Sequence, residues 1–356
     1  MKINITANLL SIKYKPLLCE TLKTFPISEL ENAISKKPSF ILKIDEKNQI
    51  ALSWWVSPKR TRSYPYTRVY DTLYFTGKKT TIIPIIKDEG KDGDRDFLQW
   101  DTISLTSLLG IFVIISYYRD AKKSKNYRDK ITEQRFDFSH IKNEITNLLS
   151  YQSDALHWNM EQIGKIGELV KKALESYENI SKKLNVEMHS TETARKRIQE
   201  LIKSKEIFMS LSRKLAKKAQ ERESVTIQPK EKLKGTKGTL TIRNYLGGYY
   251  FFTVDEVEFN KSNVYLIEGK HSKTKPLPSL EDVKDGLLKM ILYTNLNNVV
   301  VNGKNFNPVA VLKLTSSRFE ENLLNDKQKE ILNLLREEAK INNFELRVEK
   351  FNLNYL

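Results

Sequence analysis

Between Thr239 and Phe351 the chain leaves few ways to fold. Three apolar runs of strand character, "TLTIRNYL", "GGYYFFTVDEVEF" and "NVYLIEGKHS", follow one another, and the short turn "NKS" joins the last two. Their β-branched and aromatic content and the turn residues between them predict successive strands. Ser279 then opens a helix. It has an acid three residues on, Asp282, in the manner of a capping box, and Leu280, Val283, Leu287 and Ile291 form one apolar face. "PVAVLKLTSS" predicts a further strand, "FEENLLNDKQKEILNLLREEAK" a second amphipathic helix and "FELRVEKF" a last strand. The order strand, strand, strand, helix, strand, helix, strand is that of a mixed α+β unit with helices packed on a sheet.

At 356 residues the chain exceeds what one core usually serves, so more than one packed unit is expected. Short apolar runs alternate with turns through the first hundred residues, which predicts an N-terminal α+β region over 1–120. A helical basic segment is expected over 121–228: from Ser139 to about Glu223 apolar residues recur at helical spacing, for example Ile163, Ile166, Leu169, Val170, Ala173, Leu174 and Tyr177, and predict at least three helices with basic faces near "ARKRIQELIKSKEIF" and "SRKLAKKAQERE". "QPKEKLKGTKG" reads as a connector, and the C-terminal module is expected over 229–356.

Sixty Lys and Arg against 44 Asp and Glu leave a formal charge of +16, which favours a polyanionic partner, nucleic acid before anionic lipid. The single cysteine, Cys19, excludes an intramolecular disulfide and a Cys-based zinc site. The N-terminus lacks the apolar stretch of a secretory signal, and a cytoplasmic protein is expected. "TISLTSLLGIFVIISYY", Thr102 to Tyr118, approaches the length of a membrane span, but its Ser and Thr content and the acidic run before it favour a buried helix or strand-helix unit.

Glu268 and Lys270 stand two apart at the end of the apolar run "VYLI", so a strand turns both to one face with Gly269 between them. The preceding strand brings "VDEVE" alongside, and either Asp255 or Glu256 supplies a second carboxylate. Two carboxylates and a lysine suit phosphodiester hydrolysis. Hard oxygen ligands hold Mg²⁺ and leave positions for water and phosphate, while the ammonium group stabilises the transition state or favours hydroxide. The Gly269 carbonyl is a further candidate ligand. The alternative is an ordinary surface ion pair, which contributes little.

Asp255, Glu268 and Lys270 resemble the D…(D/E)xK pattern of the PD-(D/E)xK nuclease superfamily, and the order of elements over about residues 190–356 is similar to its core. The resemblance implies a restriction-endonuclease-like central mixed sheet flanked by helices. It implies Asp255, Glu268 and the Gly269 carbonyl as Mg²⁺ ligands and Lys270 beside the attacking water. Type II restriction endonucleases are the most similar members in size and basicity. They imply sequence-specific cutting of double-stranded DNA, a homodimer, and a cognate DNA methyltransferase as a partner in the system rather than in a complex. No proline precedes Asp255, which leaves the choice between Asp255 and Glu256 open. A structure-specific repair or recombination nuclease and a non-catalytic nucleic-acid-binding protein are the competing readings.

"SWWVSPKRTRSYPYTRVY" interleaves Lys59, Arg60, Arg62 and Arg68 with aromatic residues, a pattern for DNA contact, with at least one of Trp54 and Trp55 in the core. His271, on the opposite face of its strand, and Lys273 are further candidates for phosphate contact. The acidic run Asp88 to Asp101 lacks the register of an EF-hand. It reads as a solvated loop or, functionally, as an interface, a metal loop or a base reader accepting from cytosine amino groups. His140, His157 and His189 have no metal-ligand spacing. No Walker loop, Rossmann glycine pattern or nucleophile elbow supports ATP use or acyl transfer.

Overall fold

The computed structural model describes residues 3–58, 65–98, 100–190, 192, 236–244 and 249–350. The chain forms two compact units, one built from Met1–Glu20 and Arg213–Leu356 and the other from Thr21–Ser212. This differs from the expected breaks near 120 and 228. The reason is long-range pairing: the first strand, β1 (Ile3–Leu9), runs parallel to a strand more than two hundred residues later, a partnership that no local pattern reveals.

The inserted unit, Thr21–Ser212, contains strands β2 (Thr24–Pro26), β3 (Ser39–Lys43), β4 (Gln49–Trp54), β5 (Lys79–Pro84), β6 (Ile86–Asp88), β7 (Arg95–Phe97), β8 (Phe112–Ser116), β9 (Tyr118–Lys123) and β10 (Ile131–Phe136). Its helices are α1 (Leu30–Lys36), α2 (Pro65–Tyr70), α3 (Trp100–Leu108), α4 (Phe138–Ser150), α5 (Ala155–Gly164) and α6 (Ile166–Leu184). The main sheet has the order β2-β3-β4-β5-β8, and β6-β7 and β9-β10 form two small hairpins. The apolar run from Thr102 to Tyr118 resolves into α3, β8 and the start of β9. No described helix is long and apolar enough to cross a membrane. β8 is apolar because it is buried throughout, although it lies at a sheet edge. Side chains of α4 and α5 cap that edge. Val113 donates to Asn159 Oδ1 at 2.7 Å and accepts from Trp158 Nε1 at 2.8 Å, and the Ile115 carbonyl meets His140 Nε2 at 2.9 Å. Phe112, Leu148, Ala155 and Trp158 pack beneath.

The other unit resumes with β11 (Thr236–Asn244), β12 (Tyr249–Asn260), β13 (Asn263–Ser272), α7 (Leu280–Tyr293), β14 (Leu296–Val301), β15 (Lys304–Ser316), α8 (Asp326–Asn342) and β16 (Glu345–Lys350). Its mixed sheet has the order β13-β12-β11-β1-β14-β15-β16, and β15 also pairs β13, so the ladder returns on itself. β13, β15 and β16 are mutually parallel, with α7 and α8 as the crossovers. The Ser279 side chain accepts from the Asp282 N–H at 3.2 Å, the cap its spacing implies. Every expected strand and helix of this module is present, and β14 is an addition.

A candidate acidic and lysine-rich active site

The site begins with an irregularity in β12. Against β11, Thr236 stands opposite Val257 and Gly238 opposite Val254, so β12 carries one extra residue in the stretch holding Asp255 and Glu256. A bulge of this kind breaks strict alternation and re-aims side chains. From this point β12 also changes company: its ladder with β13 covers only Glu256–Asn260 against Asn263–Ile267. Beyond Ile267 the two strands part. The Gly269 N–H, lacking a β12 carbonyl, donates to Asp255 Oδ2 at 3.0 Å.

The two acids take different places. Asp255 lies beside Glu268-Gly269-Lys270. Glu256 turns elsewhere and meets Lys313 Nζ at 3.4 Å, the lysine whose register partner on β13 is Gly269. Glu256 and Glu268 are both 4 % exposed, and each has a lysine partner, as buried carboxylates require.

Glu268 is gripped on both oxygens. Lys270 Nζ lies 3.0 Å from Oε1, and Lys289 Nζ, from α7, lies 3.3 Å from Oε2. Lys270 also donates to Asp285 Oδ2 at 2.7 Å. Lys289 donates to the Thr253 carbonyl at 3.0 Å, and Tyr293 Oη donates to the same carbonyl at 3.4 Å. Asp285, Lys289 and Tyr293 recur every four residues on α7, so one helix face presents all three to the sheet. Gly286 lets that face approach. A Cβ there would stand 2.7 Å from Leu312 Cδ1 and 3.2 Å from Lys270 Cε.

The electrostatics follow from this packing. Burial pulls Lys270 down, but Glu268, Asp285 and Asp255 together outweigh it and hold the ammonium well above the ordinary lysine range. Burial, the largest cause, raises Tyr293 well above the usual phenol range. Among the described residues, the carboxylates of Asp255, Glu268 and Asp285 gather around the Lys270 and Lys289 ammonium groups. Among the described residues no three or more His, Cys, Asp or Glu side chains are grouped to hold a metal. Two carboxylates and a carbonyl are nonetheless a sufficient protein contribution for Mg²⁺, which keeps several waters and takes the rest of its shell from substrate.

The remaining candidates are dispersed. Lys59, Arg60 and Arg62 lie outside the described residues, as do the basic runs after Ala194. Arg68 is half-buried; it donates to the Trp54 carbonyl at 2.7 Å and stacks 4.5 Å over the Trp54 ring, and burial lowers its pKa. Trp55 is fully buried, as expected for one of the pair. His271 Nδ1 meets Thr315 Oγ1 at 2.9 Å, and its pKa is lowered, chiefly by burial and then by Lys273, which is exposed. The acidic run is not simply solvated: Asp88 and Asp96 are 5 % and 3 % exposed, on the two strands of the β6-β7 hairpin. Asp285 and Lys289 were not evident from the sequence. The available signal was a lysine inside the apolar run "LLKMILY", four residues after an acid.

Comparison of the chain with family models, curated proteins and solved structures gave no match.

Proposed function

We propose that the unit carrying β11–β16 is a phosphodiester hydrolase of restriction-endonuclease-like fold acting on double-stranded DNA, with Asp255, Glu268 and Lys270 as its catalytic residues. One observation carries the reading: the parting of β12 from β13 brings Asp255 onto Gly269 at 3.0 Å beside the Glu268–Lys270 pair, also 3.0 Å apart. The antiparallel run β11-β12-β13 followed by α7 and the parallel strands β15 and β16 supports it, being the arrangement that the PD-(D/E)xK resemblance implies.

Bound by Asp255 and Glu268, with the Gly269 carbonyl beside them, Mg²⁺ would supply Lewis acidity toward a phosphate oxygen and offset charge developing there. Lys270 works as a fixed cation. Its ammonium stays protonated at neutral pH, so it stabilises negative charge on the attacked phosphate rather than removing a proton from water. Asp285 orients Lys270 from the helix side, and Lys289 holds Glu268 against the sheet. The basic chain draws in the polyanionic substrate. A type II restriction enzyme is the member of this class that the size and charge fit. It would act in the cytoplasm as a homodimer on a two-fold symmetric site, with a methyltransferase protecting host DNA.

The test is incubation of the purified protein with unmethylated phage DNA, with and without Mg²⁺, beside Glu268→Ala and Lys270→Ala. Discrete fragments that require Mg²⁺ and vanish in both variants support a sequence-specific nuclease. A smear from the same Mg²⁺-dependent reaction points to a structure-specific nuclease. Intact DNA in every lane, from folded protein that binds it, removes the catalytic reading.

A further inference from the structure

The inserted unit holds a cavity of about 220 Å³ between the β6-β7 hairpin, α6 and the segment Met188–Ser190. That is room for roughly seven waters at ~30 Å³ each, enough for one planar heterocycle. The segment is strapped down over the hairpin. Arg95 Nη1 donates to the Ser190 carbonyl at 3.0 Å, the Glu187 N–H donates to Asp129 Oδ1 at 2.8 Å, and the Lys91 N–H donates to the Glu187 carbonyl at 2.9 Å.

Asp88 lines this cavity, and its side chain is 7 % exposed. Its two oxygens do different work. Oδ1 accepts from the Gly90 N–H at 2.9 Å and meets His189 Nδ1 at 2.8 Å, which explains its part in holding the strap. Oδ2 has no hydrogen bond among the described residues. Arg95 Nη1 is 3.9 Å away, an ion-pair distance too long for a hydrogen bond. Asp88 lines the cavity, so a donor on a ligand held there would answer Oδ2. Arg95 is equally divided: Nη1 is committed to Ser190, while its other nitrogens have no hydrogen-bond partner among the described residues. Its guanidinium lies 5.2 Å over the Phe97 ring, so an aromatic face and a fixed donor stand together on one wall. Tyr177 is spent internally, donating to Gln134 Oε1 at 2.8 Å and accepting from the Asp88 N–H at 2.9 Å, and it forms a rigid wall.

We infer that this cavity is a nucleobase pocket for a cytosine ring, with Asp88 Oδ2 accepting from the exocyclic amino group and Arg95 donating to the neighbouring ring nitrogen or carbonyl. Cytosine's pairing edge presents a donor next to acceptors, and Asp88 beside Arg95 is the complement of that edge. Thymine in the same register would set its O4 carbonyl against the carboxylate. Adenine, with a donor and one acceptor, and guanine, whose N1–H and amino donors beside O6 also suit a carboxylate next to a guanidinium, both bring larger rings, so the purines rank second. Phe97 and Met188 supply the flat apolar surface against which a base out of its helix stacks. The inference rests on the proposed DNA-cutting role only for its biological use: it places base reading in the inserted unit and chemistry in the other.

The test uses the full chain in EDTA, where cutting plays no part, so its outcome is separate from that of the nuclease assay. Saturation-transfer NMR would compare deoxycytidine and thymidine monophosphates. Fluorescence of a duplex containing pyrrolo-cytosine would report whether the base leaves the stack. The expected result is a preference for the cytosine nucleotide of roughly ten- to hundred-fold, lost or reversed in Asp88→Asn, where an amide donor replaces the free oxygen. Phe97→Leu, which leaves the bonds of Asp88 in place, should weaken both nucleotides several-fold. That keeps the test informative if Asp88→Asn disturbs the strap. A fluorescence rise in the duplex assigns the base to DNA; cytosine preference without a rise assigns it to a free nucleotide. Equal binding of the two nucleotides, or a preference unchanged in folded Asp88→Asn, overturns the pocket.

Discussion

Lys289 Nζ joins two places that the chain otherwise holds apart, lying 3.0 Å from the Thr253 carbonyl on β12 and 3.3 Å from Glu268 Oε2 on β13. The strands no longer pair at this level, so a helix side chain closes the gap that the backbone leaves. Lys289→Met removes one cation from a carboxylate that is 6 % exposed and strips the Thr253 carbonyl of a donor. Breaking a buried pair by removing one partner costs about 3–5 kcal/mol. Urea unfolding followed by fluorescence should show a loss of that order. Lys289→Gln, which can still donate, should lose less.

Asp255 and Glu256 are neighbours with separate fates, and kinetics can tell them apart. On the proposed nuclease reading, Asp255→Asn, at the Gly269 N–H, is expected to lower the Mg²⁺-dependent cutting rate by more than about a hundredfold, an effect of the size seen when a preorganised charge is removed. Glu256→Gln alters the partner of Lys313, away from Glu268 and Lys270, and is expected on the same reading to change the rate by less than about tenfold. Equal losses in the two variants would contradict the placement of the bulge.

Gly286→Ala is a probe of Lys270 that touches no charge. Alanine favours a helix by about 1 kcal/mol over glycine, but overpacking costs typically 1–3 kcal/mol, and the new methyl meets Leu312 and the Lys270 stem. Leu312 can shift its terminal carbon and Lys270 its Cε. The expected outcome is a near-unchanged melting temperature and, on the proposed nuclease reading, a clear fall in the cutting rate, measured on the same preparation.

The protonation of Lys270 sets a pH expectation. Its folded pKa lies above the unfolded value of about 10.4, so whatever stability it contributes is fully present below that pH and is lost as pH rises through the folded value. In metal-free protein, the stability difference between wild type and Lys270→Met should therefore be flat from pH 6 to about 10 and shrink only above. A difference that changed between pH 6 and 9 would mean that the lysine titrates near neutrality, and a general-base role would return.

Glu338 anchors the segment that leaves β1. It is fully buried and accepts from Tyr14 Oη at 2.7 Å and from the N–H groups of Leu17 and Leu18 at 2.9 and 3.2 Å. Burial, followed by the charge of Glu338, raises the Tyr14 phenol far above its usual range. Glu338→Ala removes the acceptor that the Tyr14 hydroxyl and the Leu17 and Leu18 N–H groups share, and a donor left buried without a partner costs about 1–3 kcal/mol. Hydrogen exchange should show residues 14–18 losing protection before the rest of the unit.

What the sequence revealed and withheld has a physical pattern. Strands β11 to β13 and helix α7 were legible because period-two runs, a tight turn and the Ser279 cap are local signals, and Glu268 with Lys270 followed from alternation alone. Asp255 could not be separated from Glu256, because a bulge suspends the alternation on which that reading depends. β14 was missed because "LNNVVV" is short and flanked by turn-forming asparagines. Asp285 and Lys289 do not stand out in the sequence because charged residues on an amphipathic helix ordinarily face solvent; here that face meets Lys270 and Glu268. The long apolar run ending at Tyr118 was ambiguous because an edge strand capped by side chains is as apolar as a central one.

The pairing of β1 has a consequence for the order in which the molecule is made. β1 is made before the inserted unit, with Ile3, Ile5, Ala7 and Leu9 along one buried side, yet its partners β11 and β14 are synthesised only after that entire unit. The inserted unit has all its strands and can fold while translation continues. β1 has to wait with both edges unpaired, and Glu338, which fastens the segment behind it, arrives later still. On the proposed reading, a nascent chain acquires its DNA-reading half before its cutting half, and a chain that stops short of α8 carries no finished nuclease into the cell.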